Sequence, residues 1–112
     1  MAGKIQNAML EYFAKAFSLE KPLQRVLDVR QLAEFYCWEY QDYDDEQPPT
    51  ASDMQKVTRA ALKMGPYMGY MPFYIGPKRE LHFAHWQDEQ ALIALGALSA
   101  ELHKGRNAVG SA

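Results

Sequence analysis

The sequence predicts a mainly α, compact single domain of four helices, with a short β-hairpin or an irregular aromatic loop at about 66–86. Three observations carry this prediction. Apolar residues recur at the three-and-four spacing of a helix face in four separate stretches. Proline, glycine and polar clusters separate those stretches. The segment PYMGYMPFYIGPKRELHFAHW breaks the helical pattern with glycines, prolines and many aromatics.

The first helix is marked by Ile5, Ala8, Met9, Tyr12, Phe13, Ala16 and Phe17. Ser18 to Lys21 interrupts it, and Pro22 suits the first turn of a new helix. The second helical stretch runs from about Pro22 to about Tyr43, as one bent helix or as two. Asp28 with Gln31 reads as a capping box, and Leu27 with Leu32 as a hydrophobic staple, so a restart at Asp28 fits the pattern. Phe35 and Trp38 lie well around this helix from the stripe of Val29, Leu32, Ala33, Tyr36, Tyr40 and Tyr43. The loop DDEQPP cannot continue a helix. Thr50 or Ser52 caps the third helix, whose apolar stripe is Met54, Val57, Ala61 and Met64; Lys56, Arg59 and Lys63 share another face. Gly65-Pro66 reads as its stop.

Beyond it, Met71 to Ile75 and Glu80 to Phe83 can pair across the turn Gly76-Pro77-Lys78-Arg79. Pro72 and Pro77 weigh against strands there. The last helix runs from about Gln87 to about His103, with Gly105 as its stop. Its main stripe is Ala91, Leu92, Leu95, Leu98 and Leu102, and a second stripe holds Ile93, Ala97 and Ala100. The single domain is expected to cover 1–105, with 106–112 a disordered tail.

The whole chain narrows the function classes. With 112 residues, 48% apolar and 23% charged, the composition is that of one globular domain. No apolar run approaches the roughly 20 residues of a membrane span. Glu11 and Lys15 interrupt the first apolar stretch, unlike a secretory signal. The single cysteine, Cys37, allows no internal disulfide. A cytoplasmic location is expected. The formal charge is −2, which weighs against a generic nucleic-acid binder. That charge is uneven. Residues 1–50 hold nine acids and five bases, and residues 51–112 hold five acids and seven bases.

Candidate chemistry is sparse. His82 and His85, with Glu80 and Asp88 nearby, match no standard ligand spacing, and on a strand the two histidines point to opposite faces. Cys37 sits between Glu34 and Glu39, which oppose a thiolate. There is no glycine-rich phosphate loop and no nucleophile elbow. The sequence therefore predicts no enzyme, no metal and no cofactor.

Three surfaces stand out. The acidic-aromatic stretch holds Glu34, Glu39, Asp42, Asp44, Asp45 and Glu46 within thirteen residues. There Phe35 and Trp38 would anchor a protein partner, with Glu39, Asp42 and Asp45 supplying charge. Gly96 costs about 1 kcal/mol in a helix relative to alanine. With Ile93, Ala97 and Ala100 it makes a small-residue strip suited either to close packing within the chain or to a homodimer interface. Third, Lys56, Arg59 and Lys63, with Lys78 and Arg79 at a hairpin tip, outline a winged-helix layout in which the third helix enters a DNA major groove.

With its second helix around EFYCWEYQDYDDE and its two-faced final helix ALIALGALSAEL, the chain resembles a family of compact, mostly helical, dimeric antiactivators that sequester LuxR-type quorum-sensing transcription factors. The resemblance implies a cofactor-free protein that binds a transcription factor and blocks its dimerisation or DNA binding. Protein binding of that kind is the expected function. DNA binding through the basic helix and wing is the alternative.

Overall fold

The computed structural model describes residues 3–44 and 46–110, with side chains as far as Lys104. Four helices and three short strands follow one another as α1 (Lys4–Ala16), β1 (Leu27–Asp28), α2 (Val29–Tyr40), α3 (Ala51–Tyr67), β2 (Tyr70–Ile75), β3 (Glu80–His85) and α4 (Glu89–Gly110). The strands form one antiparallel sheet in the order β1-β3-β2. The fold is mainly α with a small β part, as expected, and the hairpin is formed.

Helices α1, α2 and α3 enclose the larger core. Met9, Phe13, Leu27, Leu32, Val57, Tyr70 and Phe83 are fully buried in it. Phe13 stacks on Tyr70 at 5.0 Å and meets Phe83 edge-on at 5.6 Å. A smaller core lies on the other face of the sheet, where Val26, Ile75 and Ala84 meet Ala91 and Leu95 of α4. Alternation along the strands explains the division. Tyr70 and Phe83 face the helices, and Ile75 and Ala84 face α4.

The Pro22–Tyr43 stretch is not a continuous helix. A 3-10 turn at Pro22–Arg25 leads into β1, and α2 begins at Val29. Asp28 accepts from the Gln31 amide at 2.8 Å while the Gln31 side chain accepts from the Asp28 amide at 2.9 Å, so the expected capping box is the restart. The strand before it went unread because two residues are too few to show a period. Its pairing is long-range: Leu27 lies opposite Phe83 and Asp28 opposite His82.

Thr50, not Ser52, caps α3. Its hydroxyl accepts from the Asp53 amide at 3.1 Å, and the Asp53 carboxylate accepts from the Thr50 amide at 2.9 Å. The stop expected at Gly65-Pro66 falls later, at Tyr67. Gly65 is held against Phe83, where an added Cβ would stand 3.2 Å from the ring and 2.9 Å from the Tyr70 carbonyl oxygen. Termination passes to Gly69, whose φ of +85° breaks the helical path. Pro72 sits in β2, an edge strand, where a missing N–H is tolerated. Helix α4 continues to Gly110, past the stop expected at Gly105 and into the segment read as a tail.

Among the described residues, no helix is long and apolar enough to cross a membrane.

Candidate nucleic-acid interface

The capping box at Thr50 fixes where α3 starts and therefore which residues face outward. Asp53 points inward and is buried. Besides the Thr50 amide it accepts from the Tyr43 hydroxyl at 2.9 Å. Burial alone would raise its pKa, but hydrogen bonds from the Thr50 backbone, Tyr43, the Thr50 side chain and Cys37 together hold it below the ordinary aspartate value. Burial, with Asp53 nearby, pushes the Cys37 thiol up to about 11, so Cys37 is a buried neutral packing residue rather than a thiolate.

With Asp53 turned in, the outward face of α3 is basic. Ser52, Lys56, Arg59 and Lys63 are exposed at spacings of four, three and four, which places them on one side of the helix. From Ala51 to Arg79 the chain holds five bases and a single acid, the buried Asp53. The net charge of −2 conceals this segregation.

The hairpin brings two further bases to its tip. Lys78 and Arg79 are exposed in the turn between β2 and β3. Gly76 and Arg79 both have positive φ, at +77° and +52°. None of the five bases is ion-paired among the described residues. A groove of 390 Å³ lined by Asp28, Val29, Arg30, Met54, Glu80, Leu81 and His82 connects the start of α2, the first turn of α3 and the base of the wing. The groove lies between α3 and the hairpin, and none of Lys56, Arg59, Lys63, Lys78 and Arg79 lines it.

Two residues on this surface escaped the sequence reading. Arg30 is exposed at the start of α2 and stands 3.5 Å from Glu34. Tyr74 is 54% exposed and lies opposite Leu81 on the α3 side of the hairpin. The β alternation around Pro72 was the only signal for Tyr74.

The acidic-aromatic face lies elsewhere. Phe35 and Trp38 are half-buried against the larger core, with part of each ring exposed. They line a 230 Å³ groove with Tyr12, Gln31, Glu34 and Glu39. Phe35 meets Tyr12 at 5.1 Å, Lys15 Nζ stands 5.9 Å from the Phe35 ring centre, and Trp38 Nε1 donates to the Gln47 carbonyl at 3.3 Å. Glu39 and Asp42 are exposed, but Asp42 lies beyond the end of α2, with a φ of +55°. Asp45 lies outside the described residues.

The small-residue strip of α4 faces outward. Ile93 is 60% exposed, Gly96, Ala97 and Ala100 are exposed, and no described atom lies within 4 Å of a Cβ built on Gly96. Close packing within the chain, one of the two readings of Gly96, is thereby removed.

His82 is buried on the α4 side of β3. His85 lies on the other face, in edge contact with Phe17 at 4.9 Å and Tyr70 at 5.4 Å. No family model, no curated protein and no solved structure matches the chain.

Proposed function

We propose that this protein is a DNA-binding regulator of winged-helix type. The observation that carries the reading is the pairing of β1 with β3. It completes the order helix, strand, helix, helix, strand, wing, strand, with α3 in the position of the recognition helix. Lys56 and Arg59, with Ser52, enter the major groove. Arg30, Lys63 and the wing residues Lys78 and Arg79 meet phosphates. Acidic loop residues Asp42, Asp44 and Glu46 precede α3 and limit non-specific affinity through repulsion. The test is titration of labelled duplex DNA at low and moderate salt with the wild type and with Lys56→Ala/Arg59→Ala. Loss of binding in the variant, with circular dichroism unchanged, supports the reading.

The exposed strip Ile93, Gly96, Ala97 and Ala100 supports a homodimer joined through α4. No charged residue occurs from Gln90 to Ala100, and a symmetric pair would present two recognition helices to two half-sites.

A second reading is favoured by the groove at Phe35 and Trp38. A protein partner, such as a transcription factor sequestered in the manner of the LuxR-type antiactivators, would dock there with Glu39 and Asp42 at the rim. Phe35→Ala/Trp38→Ala would then abolish partner capture while DNA binding persisted. Neither reading involves catalysis or a cofactor. Both place the protein in the cytoplasm.

A further inference from the structure

Three large aromatic rings stand in solvent at the end of the domain opposite the wing. Tyr67 is 79% exposed, Trp86 58% and Phe17 54%. They come from three elements: the last residue of α3, the turn after β3 and the turn after α1. The Trp86 amide donates to the Gly69 carbonyl at 2.9 Å, which ties Trp86 to the turn that follows Tyr67. Phe17 meets His85, the neighbour of Trp86, and Phe17, Met68 and His85 line one shallow groove of 250 Å³. Exposed rings cost free energy in contact with water, and these three lie on elements that meet near the Gly69 turn.

Tyr67 continues the basic stripe. Lys56, Arg59, Lys63 and Tyr67 follow one another on α3 at spacings of three, four and four, so Tyr67 is the next residue along the same face. A nucleic-acid strand following Lys56 to Lys63 would reach Tyr67 and then Trp86. Cationic side chains leading to open aromatic faces are the chemistry of single-strand binding, in which the backbone meets charge and unpaired bases stack on rings. A duplex cannot use these rings, because its bases are already stacked.

We propose that Tyr67 and Trp86, flanked by Phe17, form a stacking platform for unpaired bases, so that the protein binds single-stranded nucleic acid continuous with the strand held by α3. The proposal rests on the nucleic-acid reading above and names a second ligand form for the same face.

The test uses the full chain, fluorescein-labelled dT12 and a labelled duplex at about 50 mM salt, where phosphate contacts are strong. Wild type is expected to bind dT12 and to lose tryptophan emission on doing so, a quench that Trp86→Ala removes. Tyr67→Ala/Trp86→Ala is expected to weaken dT12 binding by about tenfold for each ring lost, with duplex affinity unchanged within about threefold. Tyr67→Phe/Trp86→Phe keeps the flat faces and should restore dT12 binding. If the duplex binds but dT12 does not, or if the alanine pair binds dT12 like wild type, the platform is refuted and the duplex reading stands. A changed oligomeric state in the alanine pair with unchanged dT12 affinity would likewise refute it and make these rings a protein contact. If neither nucleic acid binds, both proposals fall. Circular dichroism of each variant checks the fold.

Discussion

Leu27 lies directly opposite Phe83 across the antiparallel pair of β1 and β3, and both side chains are completely buried. This contact spans half the chain and closes the sheet over the helices. Leu27→Ala should destabilise the fold by about 3 kcal/mol, as expected for a large side chain removed from a closed core. Leu23, four residues earlier, is 57% exposed, and its alanine variant should stay within about 0.5 kcal/mol of wild type. Urea unfolding of the two variants checks the contrast.

Two glycines should respond in opposite directions to alanine. At Gly69 a Cβ would collide with the His85 ring, and φ is +85°. Gly69→Ala should cost about 2 kcal/mol or more. At Gly96 the surroundings are open, so Gly96→Ala should stabilise the folded chain by about 1 kcal/mol. If α4 joins two copies by close backbone approach, the same change should weaken the dimer. Thermal unfolding and light scattering on Gly96→Ala separate the two effects.

Arg25 ties the segment after α1 to the start of α4. Its Nε donates to Asp88 at 2.6 Å and its Nη2 at 3.2 Å, while Nη1 donates to the Leu19 and Glu20 carbonyls. The pair is largely shielded from water, and the Arg25 hydrogen bonds hold the Asp88 carboxyl below its ordinary value. Stability from Asp88 is therefore complete above the unfolded value of about 3.9 and is lost as pH falls through the lower folded value. Arg25→Ala should cost about 2 kcal/mol at pH 7. It should also lose less stability than wild type between pH 5 and pH 2. Urea melts across that range measure both.

Local signals were legible in the sequence and long-range ones were not. The Asp28 capping box, the outward face of Lys56, Arg59 and Lys63, and the hairpin turn at Gly76 to Arg79 each depend on neighbours within a few residues. They stand where the periodicity put them. Strand β1 depends on Phe83, and the close approach of Gly65 to Phe83 is also long-range, so neither could be read from adjacent residues. Phe35 and Trp38 illustrate a different limit. Helix periodicity separated them from the main stripe, but only the packing of α1 showed them half-covered. The basic face was visible as single residues; its strength was hidden, because the turning-in of Asp53 depends on Tyr43 and the Thr50 cap.

The half-covered rings give a stability expectation of their own. Trp38→Ala should cost about 2 kcal/mol, roughly half the loss for a fully buried tryptophan, and should leave helix content intact. Far-ultraviolet circular dichroism with urea unfolding checks it. Complete unfolding would mean that this face is core and unavailable to a partner.

The proposed duplex-DNA interface consists of Arg30 of α2, Lys56, Arg59 and Lys63 of α3, and Lys78 and Arg79 of the hairpin turn. Its most direct test is the salt dependence of duplex binding, measured by fluorescence anisotropy. If about four of these bases meet phosphates, the slope of log K against log salt is about −4. Lys78→Ala/Arg79→Ala should then reduce that slope by about two. No duplex binding at about 50 mM salt, or a slope unchanged in the wing variant, would contradict the account.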